Sequence, residues 1–350
     1  MSLHKEIHFE AEIAQHLGAH GWLYEEKTAD NYDRKLALYP PDLIAWLQES
    51  QTELWETYQQ KNGSKAEANL LQRIRDQLDQ QGTLDLLRKG IEVMGLPKAL
   101  KLAEFKPALG LNPEILARYS ANRLRVVRQV RYSLHNQNSI DLVLFLNGIP
   151  VATVELKTDN TQSIEDAIWQ YKSDRLPKLA GKTPEPLLSF PSGALVHFAV
   201  STREVRMTTK LAGPATVFLP FNRGSDPGGK NCGAGNPVPD GPGYPSDYLW
   251  KEVWERESWL EILGRYCIAE RNKKKEIVKI LFPRYHQLVV TRKLQEAVRE
   301  EGPGQKYLVQ HSAGSGKTNS IAWTAHFFSE LHDADDRKVF DSVLVVSDRN

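Results

Sequence analysis

The sequence predicts an α/β protein in two parts. Residues 1–221 read as a mixed sheet flanked by helices, and residues 248–350 read as connecting helices followed by the beginning of a parallel sheet. Apolar residues three and four apart indicate helices over 41–105, and from about residue 122 the period changes to two, which is typical of strands. Residues 222–247 are dense in Gly and Pro, so they predict a surface loop or linker between the parts.

The first part alternates between helical and strand patterns. A helix over 6–20 and the helices of 41–105 come first. In order, the later elements are a strand RLRVVRQVRYS, a hairpin DLVLFLNGIPVATVELK, a helix TQSIEDAIWQYK and a second hairpin ALVHFAVSTREVRMTT. Beyond the Gly/Pro-rich stretch, helical patterns resume at 248–267, and KYLVQ and SVLVV read as buried strands of a parallel sheet.

The amino-acid composition of the chain limits the classes of function that it can have. The net charge of +1 gives no global basic field, so a DNA-binding surface would be a local patch. The two cysteines, Cys232 and Cys267, have neither a disulfide framework nor zinc-site spacing, which indicates reduced thiols. No apolar run is long enough to span a bilayer and the N-terminus lacks an apolar signal core. We therefore expect a cytoplasmic protein with no membrane partner.

The first hairpin carries three charges at its open end, and its register decides whether they meet. If the turn has two residues, Asn147-Gly148, then Asp141 and Glu155 lie on opposite faces. If the loop also includes Ile149, Asp141 faces Glu155, and Lys157 follows on the same face. That second register gathers six apolar side chains on the other face: Leu142, Leu144, Leu146, Ala152, Val154 and Leu156. A one-residue slip would mix the faces, so the apolar pattern predicts the second register.

Such a cluster suggests hydrolysis of a phosphodiester. Two adjacent carboxylates repel each other, and Lys157 offsets only part of the repulsion. Mg²⁺ takes carboxylate oxygens and water as ligands, and a metal-held water near a lysine suits attack on phosphorus. The metal and the lysine would also stabilise the charge that develops on the phosphate. A solvated hairpin end with a chance salt bridge is the alternative interpretation, and spacing alone leaves it open.

The order Asp, hairpin, Glu-x-Lys resembles the nuclease motif of the PD-(D/E)xK superfamily. The sequence IDLVLFLNGIP…VELKTDN is similar to the form of this motif in the restriction (R) subunit of type I restriction–modification enzymes. This resemblance implies that Asp141 and Glu155 bind the metal and that Lys157 assists catalysis. It also implies an acidic residue on the first helix. Glu10 and Glu12 are the candidates, and we include Glu12 among the predicted metal ligands with Glu10 as its alternative.

A Gln-x-x-x-Tyr motif usually follows on the next helix of that family. This chain has Gln170, which we take as a predicted catalytic residue, but position 174 is Asp. Tyr171 lies on the apolar stripe of the helix, so we expect it to pack in the core.

A second motif, HSAGSGKT at 311–318, matches the phosphate-loop pattern except that His311 stands where the pattern has its first Gly. Small residues let backbone N–H groups surround phosphates at a helix N-terminus. Lys317 would reach the β- and γ-phosphates of ATP, and Thr318 would hold Mg²⁺. The predicted nucleotide-binding residues of the loop are Gly314, Ser315, Gly316, Lys317 and Thr318. A Gly-rich turn with a chance GKT is the alternative.

Upstream of the loop, FPRYHQ (282–287) resembles the Q motif of superfamily 2 helicases. The Gln287 amide can both donate and accept, as the adenine edge requires, and Phe282 or Tyr285 could stack on the base. SVLVVSDRN (342–350) resembles the next helicase strand and ends in Asp348-Arg349. The sequence then stops before an acidic motif or an arginine finger, so we expect the front part of a longer motor.

Four arginines before the hairpin leave two interpretations open. Arg123, Arg125, Arg128 and Arg131 interleave with Val and Leu. They could form a track for DNA phosphates, or a charged outer face of a strand.

The leading hypothesis is the endonuclease and ATP-dependent DNA translocase subunit of a type I restriction–modification system. Residues 1–221 would cleave double-stranded DNA with Mg²⁺, and the full-length motor would use ATP. The expected partners are double-stranded DNA and the methylation (M) and specificity (S) subunits. Two alternatives remain: another nuclease–helicase fusion of DNA repair or phage defence, and a non-catalytic remnant that binds DNA or a partner.

Overall fold

The computed structural model describes most of the chain, with side chains from residue 6 onward. The described residues are 2–158, 162–226, 232–333 and 335–347. They form two compact units. Unit 1 comprises the residues up to Lys106 together with Glu114–Phe282, and unit 2 comprises Pro107–Pro113 and the residues from Pro283 onward.

Helices and strands are distributed unevenly between the units, since every strand among the described residues lies in unit 1. The helices are α1 (Ser2–Ala19), α2 (Pro40–Ser50), α3 (Thr52–Asn62), α4 (Ala66–Gln81), α5 (Thr83–Lys89), α6 (Pro113–Ser120), α7 (Ile164–Ser173), α8 (Arg256–Glu261), α9 (Tyr285–Glu301) and α10 (Lys317–Ser329). The strands are β1 (Leu124–Arg131), β2 (Ser139–Leu146), β3 (Ile149–Lys157), β4 (Val196–Ser201), β5 (Val205–Thr208), β6 (Leu219–Pro220), β7 (Ile268–Arg271) and β8 (Ile277–Leu281). Within the residues described, no helix combines the length and the apolarity that crossing a bilayer requires.

The main sheet of unit 1 has six strands in the order β1-β2-β3-β4-β5-β6. Neighbouring strands are antiparallel except β3 and β4, which are parallel. A parallel pair needs a crossover connection, and α7 lies within it and packs on both strands. Helix α1 packs on β1 and β3. The predicted α/β class, a mixed sheet flanked by helices, is thereby confirmed for this unit.

The β2–β3 hairpin has the predicted register at its open end but not the predicted loop. At the open end the partner pairs are Leu142↔Val154, Val143↔Thr153 and Leu144↔Ala152. Toward the turn they shift by one, to Phe145↔Pro150 and Leu146↔Ile149. The turn is therefore a two-residue turn in which Asn147 and Gly148 have φ values of 49° and 76°, as a type I′ hairpin turn requires. A bulge beyond Leu144 restores the register that the apolar pattern demands.

Burial of the turn accounts for its tight form. The Asn147 side chain accepts the N–H of Arg123 at 2.7 Å and donates to the carbonyl oxygen of Leu102 at 3.0 Å. A Cβ on Gly148 would lie 2.4 Å from the carbonyl oxygen of Tyr39, so this position requires glycine for space as well as for its backbone angle. The turn thus fixes the hairpin against the helical part of unit 1.

Residues 248–282 lie in unit 1, whereas the sequence analysis assigned them to the second part. They form two short π-helices, α8 and the β7–β8 hairpin. The reason is aromatic packing on β4: the rings of Trp254 and Trp259 lie 5.6 and 6.5 Å from that of Phe198, centroid to centroid. Phe282 lies 6.0 Å from the same ring and is buried, so its predicted stacking on a nucleotide base is not compatible with its position.

Unit 2 contains α9 and α10, but the two predicted strands KYLVQ and SVLVV are not formed. Their apolar side chains are exposed: Leu308 by 93%, Leu344 by 87% and Val346 by 84%. A strand needs hydrogen-bonding neighbours, and the part of unit 2 that the structure describes contains no other strand to supply them. Asp348 and Arg349, at the end of the predicted second strand, lie outside the described residues.

Candidate active site

The open end of the β2–β3 hairpin brings the three predicted charges together inside unit 1. Asp141 stands near the start of β2, and Glu155 and Lys157 stand at the end of β3. All three are buried, with 8%, 0% and 4% of their surface exposed. The Asp141 Oδ2 atom accepts the backbone N–H of Leu156 at 2.8 Å, which fixes this side chain against the neighbouring strand.

Burial shifts the pKa values of both carboxyl groups upward. Loss of hydration, followed by the nearby charge of Asp141, raises the pKa of Glu155 to about 8. Burial likewise raises the pKa of Asp141, against the opposing effects of the Leu156 N–H and of Lys157. Such a pair holds a proton near neutral pH unless a cation replaces it.

Two buried oxygen atoms, one on β3 and one on α7, have no hydrogen-bond partner among the described residues. Glu155 Oε1 accepts from Arg175 Nε at 2.7 Å, but Glu155 Oε2 is unpaired. On α7, which packs against β3, Oε1 of Gln170 is also buried and unpaired. Buried polar atoms almost always have a partner, and carboxylate and amide oxygens are ligands that hard cations accept. These two oxygen atoms are therefore of the kind that Mg²⁺ takes as ligands.

The first helix supplies Glu10 rather than Glu12 to this cluster. Glu10 is 1% exposed, and its two oxygens accept from Arg128 Nε at 2.7 Å and Gln129 Nε2 at 2.8 Å. Glu12 is exposed and accepts instead from the Tyr244 hydroxyl at 2.9 Å. Two positions apart on a helix means about 200° of rotation, so both side chains could not face the sheet. The structure thus does not bring the predicted ligand Glu12 to Asp141 and Glu155.

Sequence reasoning missed a second acidic residue of α1. Glu6 Oε1 accepts from Lys157 Nζ at 2.8 Å. A signal for it existed, because Glu6 and Glu10 continue the stripe of Ile13 and Leu17 at spacings of four and three residues.

The cluster holds one more acidic than basic group. Its acidic residues are Glu6, Glu10, Asp141 and Glu155, and its basic residues are Arg128, Lys157 and Arg175. Within the described part of the chain, no group of three or more His, Cys, Asp or Glu side chains is arranged to hold a metal ion. Mg²⁺ commonly binds through one or two carboxylates and keeps several waters. A pair of carboxylates such as Asp141 and Glu155 is compatible with a Mg²⁺ site of this kind.

The family comparison matches this part of the chain. A family model described as the type I restriction enzyme R protein N terminus matches residues 6–216. The chain belongs to this family. The matched span contains the whole cluster, from Glu6 to Arg175, and no curated protein matches the chain.

Beneath Glu155, this R-protein N-terminal fold has a buried polar network. Thr153 lies two residues before Glu155 on the same face of β3, and its hydroxyl is 2.8 Å from that of Tyr171 and 2.7 Å from His197 Nδ1. Tyr171 is completely buried, as predicted for a core residue. The network fixes β3, β4 and α7 together directly below the site.

His197 makes the stability of this family member sensitive to acid. Burial lowers its pKa from 6.5 to about 3, so it stays neutral in the folded protein and becomes protonated when the chain unfolds. Its contribution is fully present above about pH 6.5 and is lost as the pH falls toward 3, by about 1.4 kcal/mol per pH unit. We expect urea unfolding to show this loss in the wild type and a shallower loss in His197→Gln. Equal slopes in the two proteins would contradict the assignment.

The arginines before the hairpin are mostly engaged inside unit 1. Arg123 and Arg125 both pair with buried Asp42, and Arg128 pairs with Glu10. Arg131 is exposed. Three of these four side chains thus neutralise internal carboxylates, which does not support a continuous phosphate track along β1.

The predicted phosphate loop lies in unit 2, outside the span that the family matches. Gly316 has φ 82° and directly precedes α10, which begins at Lys317. Lys317 and Thr318 are exposed, and Lys317 Nζ donates to the carbonyl oxygens of His311 and Ser312 at 3.2 and 3.0 Å. The lysine therefore folds back over the loop.

Gln287 contacts the same loop within unit 2. Its Nε2 atom donates to the carbonyl oxygens of Ser315 and Gly316 at 3.2 and 3.0 Å, and its Oε1 atom accepts the N–H of Arg284 at 2.9 Å. The residue is 3% exposed. Because both ends of the amide are bonded to the main chain, contact with an adenine edge would require these bonds to open.

Proposed function

We propose that unit 1 is the metal-dependent endonuclease part of a type I restriction R subunit, and that it hydrolyses phosphodiester bonds of double-stranded DNA. One observation carries the proposal: a buried carboxylate, Glu155, lies in the same cluster as Asp141 and Lys157 and has one oxygen without a hydrogen-bond partner among the described residues. Membership of the R-protein N-terminal family agrees with DNA as the substrate.

In this proposal each side chain has a defined task. Asp141 and Glu155 would hold Mg²⁺, which supplies a bound water of lowered pKa and charge for the phosphate. Arg175 occupies Glu155 Oε1 and leaves Oε2 for the ion. The ammonium group of Lys157 would stabilise the negative charge that develops on the phosphate, and Glu6 holds that ammonium group in the cluster. Gln170 would add an amide oxygen from α7.

We further propose that the loop containing Gly314, Ser315 and Gly316, with Lys317 and Thr318, binds ATP and Mg²⁺ as part of a DNA translocase. The Gly-rich loop directly before the first turn of α10 supports this, since helix N-termini favour anions. The restriction–modification assembly would supply the methylation and specificity subunits as partners.

Cation titration tests the nuclease proposal directly. We expect the purified chain to bind Mn²⁺ or Mg²⁺ in calorimetry at about pH 8.5, above the pKa of about 8 for Glu155. Asp141→Asn and Glu155→Gln each remove a ligand charge, so their affinity falls by more than the roughly 10–100-fold typical of an outer-shell change.

Glu12→Gln is the matched control, because Glu12 lies on the same helix as Glu10 but bonds to Tyr244. Its affinity should equal that of the wild type. If the wild type binds no divalent cation, or if Asp141→Asn binds as well as the wild type, the proposed metal site does not exist.

A further inference from the structure

Gln129 has a backbone conformation that is unusual for its residue type. Its φ is +52°, in the left-handed region that non-glycine residues avoid, and it lies inside β1. The partner pairs of β1 and β2 reach Arg128↔Leu142 and continue at Val130↔Ile140. Strained backbone of this kind is found preferentially at functional sites. The contacts of the Gln129 side chain therefore indicate which function this backbone conformation serves.

The Gln129 amide bridges two acidic groups of the cluster. Nε2 donates to Glu10 Oε2 at 2.8 Å and, less tightly, to Asp141 Oδ1 at 3.3 Å. Its Oε1 atom accepts from the Ser139 hydroxyl at 3.0 Å. The serine thus keeps the donating end of the amide turned toward the two carboxylates.

Each of the two carboxylates has one oxygen held by another group and one held by Gln129. Arg128 holds the other oxygen of Glu10, and the Leu156 N–H holds the other oxygen of Asp141. Gln129 thus joins the two carboxylates to each other. It does so although the residue as a whole is exposed and contributes little to the core.

We propose that Gln129 is a positioning residue of the metal site, whose amide couples Glu10 on α1 to Asp141 on β2 and so orients Asp141 toward the cation. This inference rests on the proposed nuclease function. The left-handed backbone at Gln129 directs the side chain of an edge strand to the acidic pair.

Gln129→Gly is the informative variant because glycine adopts the same backbone angle without strain, so the variant removes the side chain with its amide but keeps the backbone conformation. We expect Mn²⁺ affinity in calorimetry to fall about 10–100-fold, the usual cost of losing an outer-shell partner. The electron paramagnetic resonance spectrum of the bound Mn²⁺ should also change. Lys275→Gly is the matched control, since Lys275 has φ 65° in the turn between β7 and β8. It should alter neither the affinity nor the spectrum.

A double-mutant cycle with Glu10→Gln separates positioning from a merely structural role. If Gln129 acts through Glu10, the two losses of Mn²⁺ affinity are not additive. Wild-type affinity and spectrum in Gln129→Gly, or additive losses, would overturn this inference while the loss in Asp141→Asn still supports the metal site. Absence of Mn²⁺ binding by the wild type would instead overturn the proposed function, and with it the role of Gln129.

Discussion

Replacing Lys157 by alanine is expected to lower the rate of Mg²⁺-dependent DNA cleavage by about 10²–10³-fold, the range measured when a group that stabilises transition-state charge is removed. The ammonium group is buried in the cluster and bonds to Glu6, whereas the cluster's two arginines, Arg128 and Arg175, are paired with Glu10 and Glu155. Cation binding should persist, because Asp141 and Glu155 remain. The measurement is nicking of supercoiled plasmid by the purified chain, with Mn²⁺ affinity determined in parallel.

Two variants make this result specific. Lys182→Ala removes an equal charge from an exposed loop position and should cleave like the wild type. Lys157→Arg keeps the charge, but the larger planar guanidinium does not fit a site built around a compact ammonium, so it should not restore the rate. Cleavage by Lys157→Ala at the rate of Lys182→Ala would show that the lysine has no chemical role.

The central hairpin could be predicted from sequence because burial constrains it. A strand with one apolar face has essentially one acceptable register, and this placed Asp141, Glu155 and Lys157 on one face. The way in which the chain achieves that register was not predictable. A tight turn at Asn147-Gly148 followed by a bulge gives the same pairing as a longer loop, and the apolar pattern does not distinguish the two.

The residues that surround the acidic pair were harder to find. Arg175 lies just beyond the end of α7, and Gln129 lies in an irregular part of β1, so neither belongs to a periodic pattern. Their importance comes from contacts with Glu155 and Asp141 that only the folded chain creates. Glu6 is different, since helical spacing from Glu10 does indicate it.

The Gly/Pro-rich stretch does not coincide with the division between the two compact units, for a physical reason. Such composition indicates that a segment has no core of its own, but it does not indicate which core the following helices join. Trp254 and Trp259 carry a clear helical pattern, and their packing partner, Phe198, lies more than fifty residues earlier in the chain. Long-range packing of this kind leaves no trace in local periodicity.

Trp254→Ala is expected to destabilise unit 1 by about 3–5 kcal/mol, the usual cost of truncating a buried tryptophan. The indole is completely buried and meets Phe198 of β4 edge to face. The measurement is the free energy of unfolding from a denaturant titration of the purified chain. Trp169→Ala is the control, since Trp169 is 60% exposed on α7, and its effect should stay within about 0.5 kcal/mol.

The same substitution tests where unit 1 ends along the chain. If residues 248–282 form part of the core of unit 1, Trp254→Ala must lower the free energy of unfolding of the whole β1–β6 sheet. It must also lower the cation affinity at denaturant concentrations that partly unfold the protein, because metal binding and folding of the site are coupled. If those residues instead belonged to a separate domain, the unfolding of the β1–β6 sheet would be the same in Trp254→Ala and Trp169→Ala.

A fragment ending at residue 221 would then be as stable as one ending at 282. We expect the shorter fragment to be much less stable, because it leaves Phe198 and Phe221 without the rings that cover them.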